Sequence, residues 1–127
     1  MKITPRFCYI AGALAAAVAV GAGAFGAHTL KALVAPERLD TFKTAAQYQM
    51  YHALALLFVG WMLEQNNQTL IRWAAGLLLV GMLLFSGSLY VLVLADTAWL
   101  GAITPLGGVA FIAGWLCLAF GALRHDS

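Results

Sequence analysis

The chain has 127 residues, of which 63% are hydrophobic and 9% charged, and its formal net charge is +2. A soluble domain carries about a quarter charged residues, so this composition excludes a water-soluble fold and points to a membrane. The small charge, with no Lys/Arg cluster, also excludes a nucleic-acid binder.

Met1 to Arg6 is a short basic head, and Phe7 to Ala27 then runs without a charge, about the length a spanning helix needs. The start imitates a secretory signal, with Ala22-Gly23-Ala24 as an A-x-A site, but its apolar run exceeds a typical signal core. It is read as a retained first helix, about 7–27. Ala11, Ala15, Ala19, Gly23 and Ala27 recur every fourth position. Such a face lets two helix backbones approach closely in lipid, within this chain or in a homo-oligomer. Gly21 to Gly26 matches G-x-G-x-x-G, but the motif ends a membrane helix with no acid at the right distance, and a nucleotide site is rejected.

His28 to Lys43 is the only region of mixed charge. Pro36 suits the first position of a helix, and Glu37 and Asp40 suit the positive end of its dipole. The second helix is expected over about 36–63, its first part interfacial, plunging into the membrane near Thr44. Glu64 to Arg72 reads as a polar loop flanked by Trp61 and Trp73 as interfacial anchors; its Asn67-Gln68-Thr69 sequon lies too close to two spans to carry weight. The third helix is expected over about 73–95. Asp96 to Ile103 connects to a fourth helix over about 105–123, with Thr104 as N-cap and Pro105 as first residue. A competing reading starts that helix at Thr97 and makes Pro105 a kink. Arg124-His125-Asp126-Ser127 is the tail.

The expected architecture is therefore an all-α membrane protein, a four-transmembrane-helix bundle forming one domain over 1–127. Four spans put both termini on one side, and the positive-inside count, Lys2, Arg6, Arg72 and Arg124 against Lys31, Arg38 and Lys43, leans towards cytoplasmic termini. Cys8 and Cys117 read as small buried hydrophobes, although four spans bring them near one membrane face, a disposition compatible with a disulfide.

Helix count and rise per residue locate the polar groups. Counting from Thr44 on the second helix and back from Asp96 on the third, Gln49 lies about 7–8 Å deep, Tyr90 about 9 Å, and His52, Ser86 and Ser88 about 12–15 Å, with His28 and Thr104 at the edge. Tyr48, Gln49 and His52 share one helix face. These residues, His28, Tyr48, Gln49, His52, Ser86, Ser88, Tyr90 and Thr104, converge in one half of the bundle, the other half having almost nothing polar except Trp115. They read either as interhelical hydrogen bonds that fix register or as a polar cavity for a small ligand, proton or lipid headgroup. A charged imidazolium at the depth of His52 would be expensive, so its ring is expected to present one donor and one acceptor nitrogen, with Tyr48 one turn above it and Ser86, Ser88 or Tyr90 from the third helix as partners.

His28 and His52 differ in depth by about 12 Å, so one metal ion cannot take both. No cofactor or metal site is expected, and with no nucleophile–base–acid set, neither is an enzyme.

Gly23-Ala24-Phe25-Gly26-Ala27-His28, Tyr48-Gln49-Met50-Tyr51-His52, Leu84-Phe85-Ser86-Gly87-Ser88-Leu89-Tyr90 and Thr104-Pro105-Leu106-Gly107-Gly108 with Gly114-Trp115 together resemble the YgdD family. These are small bacterial inner-membrane proteins related to transmembrane protein 256 and grouped as a domain of unknown function. The resemblance spans all four helices and implies a multi-pass protein of the bacterial inner membrane in contact with the lipid bilayer, with no activity to carry over. A structural, assembly or interaction protein and a binding or transport protein both remain open.

Overall fold

The structure, a computed structural model, describes residues 2–124. Met1 of the basic head and residues 125–127 of the tail lie outside the described residues. Four long helices follow one another without a strand among the described residues. They are α1 (Pro5–His28), α2 (Pro36–Gln65), α3 (Thr69–Leu94) and α4 (Thr104–Leu123). The segments Pro5–Ala32, Thr69–Leu94 and Ala98–Leu123 are long and apolar enough to cross a membrane. The fourth helix, α2, is 30 residues long but carries the charged head and the polar Gln47–His52 stretch.

Each helix starts where the local chemistry allows. Thr4 caps α1 by accepting from the Phe7 N–H at 3.1 Å, with Pro5 as the first residue. Ala35 is extended before Pro36 opens α2, as the restriction on a residue preceding proline requires. Gln68 is likewise extended, and α3 then begins at Thr69, four residues before the expected Trp73. Nothing between Thr69 and Trp73 breaks a helix, and Arg72 finds acceptors in Asn67 and in the Thr69 hydroxyl, so its charge does not force a loop.

The entry to α4 corrects one expectation. Thr104 does not cap the helix: Ile103 already has helical dihedrals, φ −84° and ψ −31°. A 3-10 segment, Ala98–Ala102, leads directly into α4, so its own backbone supplies the acceptors that a capping hydroxyl would. The Thr104 hydroxyl is thereby released to bond elsewhere. A second departure has no counterpart in the sequence reading: Met82–Gly87 in α3 winds as a widened π-type turn.

Glycines set the two closest helix pairs. On the α1–α2 side, a Cβ on Gly12 would stand 2.8 Å from the Ala53 carbonyl oxygen, and one on Gly60 2.7 Å from the Tyr9 ring. The buried stripe of α1 is Cys8, Gly12, Ala19 and Gly26. It shares only Ala19 with the expected small-residue face; Gly23 has open space around it. On the α3–α4 side, Gly107, Gly114 and Gly121 recur every seventh residue and admit the Phe85 backbone, Leu78 and Ile71. Close approach through small residues is how helices associate when lipid removes the hydrophobic drive between them.

The interior is layered. One apolar cluster includes Cys8, Leu56, Val59, Ile71, Leu78 and Phe111, and a smaller one comprises Leu30, Phe42 and Val93. Along both α2 and α3 the buried polar residues Gln49, His52 and Ser86 fall between them. Cys8 and Cys117 are both free thiols. The outward faces carry exposed Leu14, Val18, Leu83, Val109, Ile112 and Leu116.

Candidate functional site

The polar layer is built from four interhelical clasps. In the first, Tyr90 Oη on α3 donates to Gln49 Oε1 on α2 at 2.8 Å, and Gln49 Nε2 donates to the Ala15 carbonyl of α1 at 2.8 Å. One amide thus joins three helices. In the second, Ser86 Oγ donates to the Ala45 carbonyl of α2 at 2.7 Å. In the third, the Ser88 and Thr104 hydroxyls meet at 2.6 Å and tie α3 to α4, while Ser88 also reaches the Phe85 carbonyl at 3.0 Å.

The fourth clasp belongs to His52. Its Nδ1 lies 2.6 Å from the Tyr48 carbonyl, and its Nε2 receives the Trp115 indole N–H at 3.1 Å. An indole only donates and a carbonyl only accepts, so Nδ1 carries the hydrogen and Nε2 the lone pair. The ring presents one donor and one acceptor, but the partners are not Ser86, Ser88 or Tyr90. Trp115, assigned by depth to the other half of the bundle, is the partner. Its α carbon is about 16 Å along α4 from Thr104 at 1.5 Å per residue, but helix side chains lean towards the helix N-terminus. A side chain as long as tryptophan's recovers the few ångströms to the level of His52.

Phe111 stacks on the His52 ring with centroids 3.6 Å apart, and Tyr48 stacks on Phe85 at 4.7 Å. Tyr48 therefore contributes its carbonyl and its ring to the site. His28 does not join: it is exposed in the last turn of α1 and makes no side-chain hydrogen bond among the described residues. Of the expected group the structure brings together Gln49 with Tyr90, Ser88 with Thr104 and His52 with the Tyr48 carbonyl, and gives Ser86 a partner outside it.

The widened turn of α3 positions two of these clasps. A π-type turn adds a residue to the helical circuit and is often found where side chains must be re-aimed. Here it spans Met82–Gly87 and is pressed against Gly107 of α4, where a Cβ would collide with the Phe85 amide. No buried side-chain nitrogen or oxygen among the described residues lacks a partner.

Beside the clasps lies a cleft of about 560 Å³ between α2 and α4, walled by Tyr48, Tyr51, His52, Phe85, Phe111 and Trp115. Its surface is aromatic, and both nitrogens of its one histidine are already engaged. Among the described residues no group of three His, Cys, Asp or Glu side chains could hold a metal ion.

A further contact went unforeseen in the sequence. Arg38, near the start of α2, donates to the Leu92 carbonyl at the end of α3 at 3.1 Å and pairs with Asp96 at 3.1 Å. A cation is well placed at a helix C-terminus. Asp96 takes a positive φ of 53° there, a conformation aspartate tolerates better than most residues.

The sequence matches the family described as Protein of unknown function (DUF423) over residues 22–108. It is 46% identical over 115 residues to a UPF0382 membrane protein of Staphylococcus aureus (strain bovine RF122 / ET3-1), covering 91% of this chain and 93% of that one. It is 47% identical over 115 residues to a UPF0382 membrane protein of Staphylococcus epidermidis, with the same coverage. The UPF0382 membrane protein YwdK of Bacillus subtilis is 44% identical over 117 residues, 91% of this chain and 95% of its own. No solved structure matches. This is the grouping to which the four motifs pointed.

Proposed function

The chain belongs to the DUF423 family, whose relatives are membrane proteins, and on that premise we propose that it is a non-enzymatic structural or interaction protein, a four-helix transmembrane bundle of the bacterial cytoplasmic membrane. Its helices span with both termini cytoplasmic, α2 entering the bilayer near Thr44, and residues 1–127 act as one domain. The small-residue face of α1 serves packing first within the chain; Gly23 and Ala27 are the part of it left for another copy.

One observation carries this reading. Every buried side-chain nitrogen or oxygen among the described residues has a partner, and the clasps from Gln49, His52, Ser86 and Ser88 all cross between helices. A site built to hold a polar ligand or pass a proton would keep donors and acceptors open for it. These are consumed in holding the helices in register.

The cleft between α2 and α4 favours a second reading, binding of an apolar ligand or lipid chain. An occupant would meet aromatic faces and the exposed Tyr48 and Tyr51 rings. Purification in native lipid followed by mass spectrometry separates the two. The structural reading expects no stoichiometric small molecule held in this cleft, so that whatever copurifies is unchanged by Gly108→Leu; one that remains with the wild-type chain and is lost on filling the cleft by Gly108→Leu favours the second.

A further inference from the structure

Of the seven Lys and Arg residues, the fold brings two from distant parts of the sequence to one groove. Lys2, ahead of α1, and Arg72, in the first turn of α3, line a groove of about 420 Å³ together with Ile3, Thr69, Trp73 and Gly76. Arg72 is held by neutral acceptors only, Asn67 Oδ1 and Thr69 Oγ1. The ion pair among the described residues, Arg38–Asp96, is at the opposite end of the bundle. The acid nearest in height, Glu64, accepts instead from Tyr9 Oη at 2.6 Å. Among the described residues the groove thus holds two positive charges with no carboxylate bonded to them. Below them its wall turns apolar: Trp73 is exposed at interfacial height, and a Cβ on Gly76 would touch nothing but Ile3, at 3.6 Å.

Charge above and an open apolar channel below match the two ends of a phospholipid. We infer that the groove between the N-terminal ends of α1 and α3 seats an anionic phospholipid, its phosphate between Lys2 and Arg72 and one acyl chain over Gly76. Basic pockets between spanning helices are the kind of feature that selects acidic headgroups. The inference rests on the helices spanning the bilayer, since only then do Lys2, Arg72 and Trp73 lie at headgroup height.

The test is native mass spectrometry of the full chain released from nanodiscs containing equal parts of phosphatidylglycerol and phosphatidylcholine. Each cation near the surface contributes about a fivefold preference, so the wild-type chain should retain phosphatidylglycerol about 30-fold over phosphatidylcholine. The Lys2→Gln/Arg72→Gln variant should fall to within about twofold, whereas Arg124→Gln, on the same side, should keep the preference. Gly76→Leu leaves both cations and fills the channel, and it should also lose the lipid while keeping wild-type helicity by circular dichroism. Absence of preference in the wild type, or its persistence in the double variant or in Gly76→Leu, overturns the site. Millimolar inorganic phosphate should leave the lipid bound; displacement would mean a site for a free anion and sink the proposal. Carbonate extraction separates the two levels. A chain that stays in the membrane without lipid preference rejects the site alone; a chain that is extracted rejects the spanning reading and the site with it.

Discussion

The indole N–H of Trp115 on α4 points at Nε2 of His52 on α2 across 3.1 Å, while His52 Nδ1 faces the Tyr48 carbonyl at 2.6 Å. The pair defines a single neutral tautomer with Nδ1 protonated. NMR on selectively labelled protein at neutral pH should show the Nδ1–H form of His52 and a downfield Trp115 indole proton that moves upfield in His52→Leu. That substitution leaves the Trp115 donor without its acceptor and should cost about 1–3 kcal/mol, of which Trp115→Phe in the same chain restores a part. An Nε2–H tautomer, or a Trp115 resonance indifferent to His52→Leu, would remove this clasp.

The α1–α2 contact tightens at Gly12, not at Gly23. Gly12→Leu should lower stability by about 1–3 kcal/mol through overpacking against the Ala53 carbonyl and Leu56. Ala19→Leu, in the same buried stripe, should also destabilise, whereas Gly23→Leu, with open space at its Cβ, should be near neutral. Thermal unfolding in detergent ranks the three; equal losses at Gly12 and Gly23 would place the contact elsewhere.

Gly107 backs the widened turn of α3, with the Phe85 amide where its Cβ would be. Gly107→Ala should therefore push α4 off α3, break the Ser88–Thr104 bond and cost about 1–3 kcal/mol. Gly108→Ala, which meets open space one residue on, is the control. Hydrogen exchange at the amides of Met82 to Ser88 should speed up in the first variant and not in the second.

How far the sequence reveals this depends on which physical quantity each feature needs. Gln49 and Tyr90 could be matched because depth in a spanning helix follows from the rise per residue alone. Trp115 could not, because its reach depends on side-chain length and lean as well as on backbone depth. The buried stripe of α1 departs in part from the expected small-residue face, sharing Ala19 with it, for a related reason. Repeats of Ala and Gly at every fourth position are degenerate in an alanine-rich helix, and only the position of α2 selects Cys8, Gly12 and Ala19 over Ala11 and Gly23. The seven-residue spacing of Gly107, Gly114 and Gly121 is legible in the sequence. The π-type turn has no local signal beyond Gly87 between two serines, and the meeting of Lys2 with Arg72 needs the register of α1 against α3.

With termini on the cytoplasmic side, a reporter that works only outside the cytoplasm should be silent when fused after Ser127 and active when inserted in the loop between α1 and α2. The opposite pattern would invert the bundle and move Lys2 and Arg72 to the outer face.

Gln49 and Tyr90 offer the most direct test that the polar side chains are spent on holding helices together. The measurement is a double-mutant cycle in lipid nanodiscs with Gln49→Leu, Tyr90→Phe and the combination, read by reversible unfolding. Since Tyr90 Oη donates to the amide that also grips α1, the two losses should be non-additive, with a coupling of about 0.6–1.7 kcal/mol as found for hydrogen bonds between membrane helices. Losses that add to within about 0.3 kcal/mol, with the folded bundle unaffected by either substitution, would contradict a structural role for the polar layer.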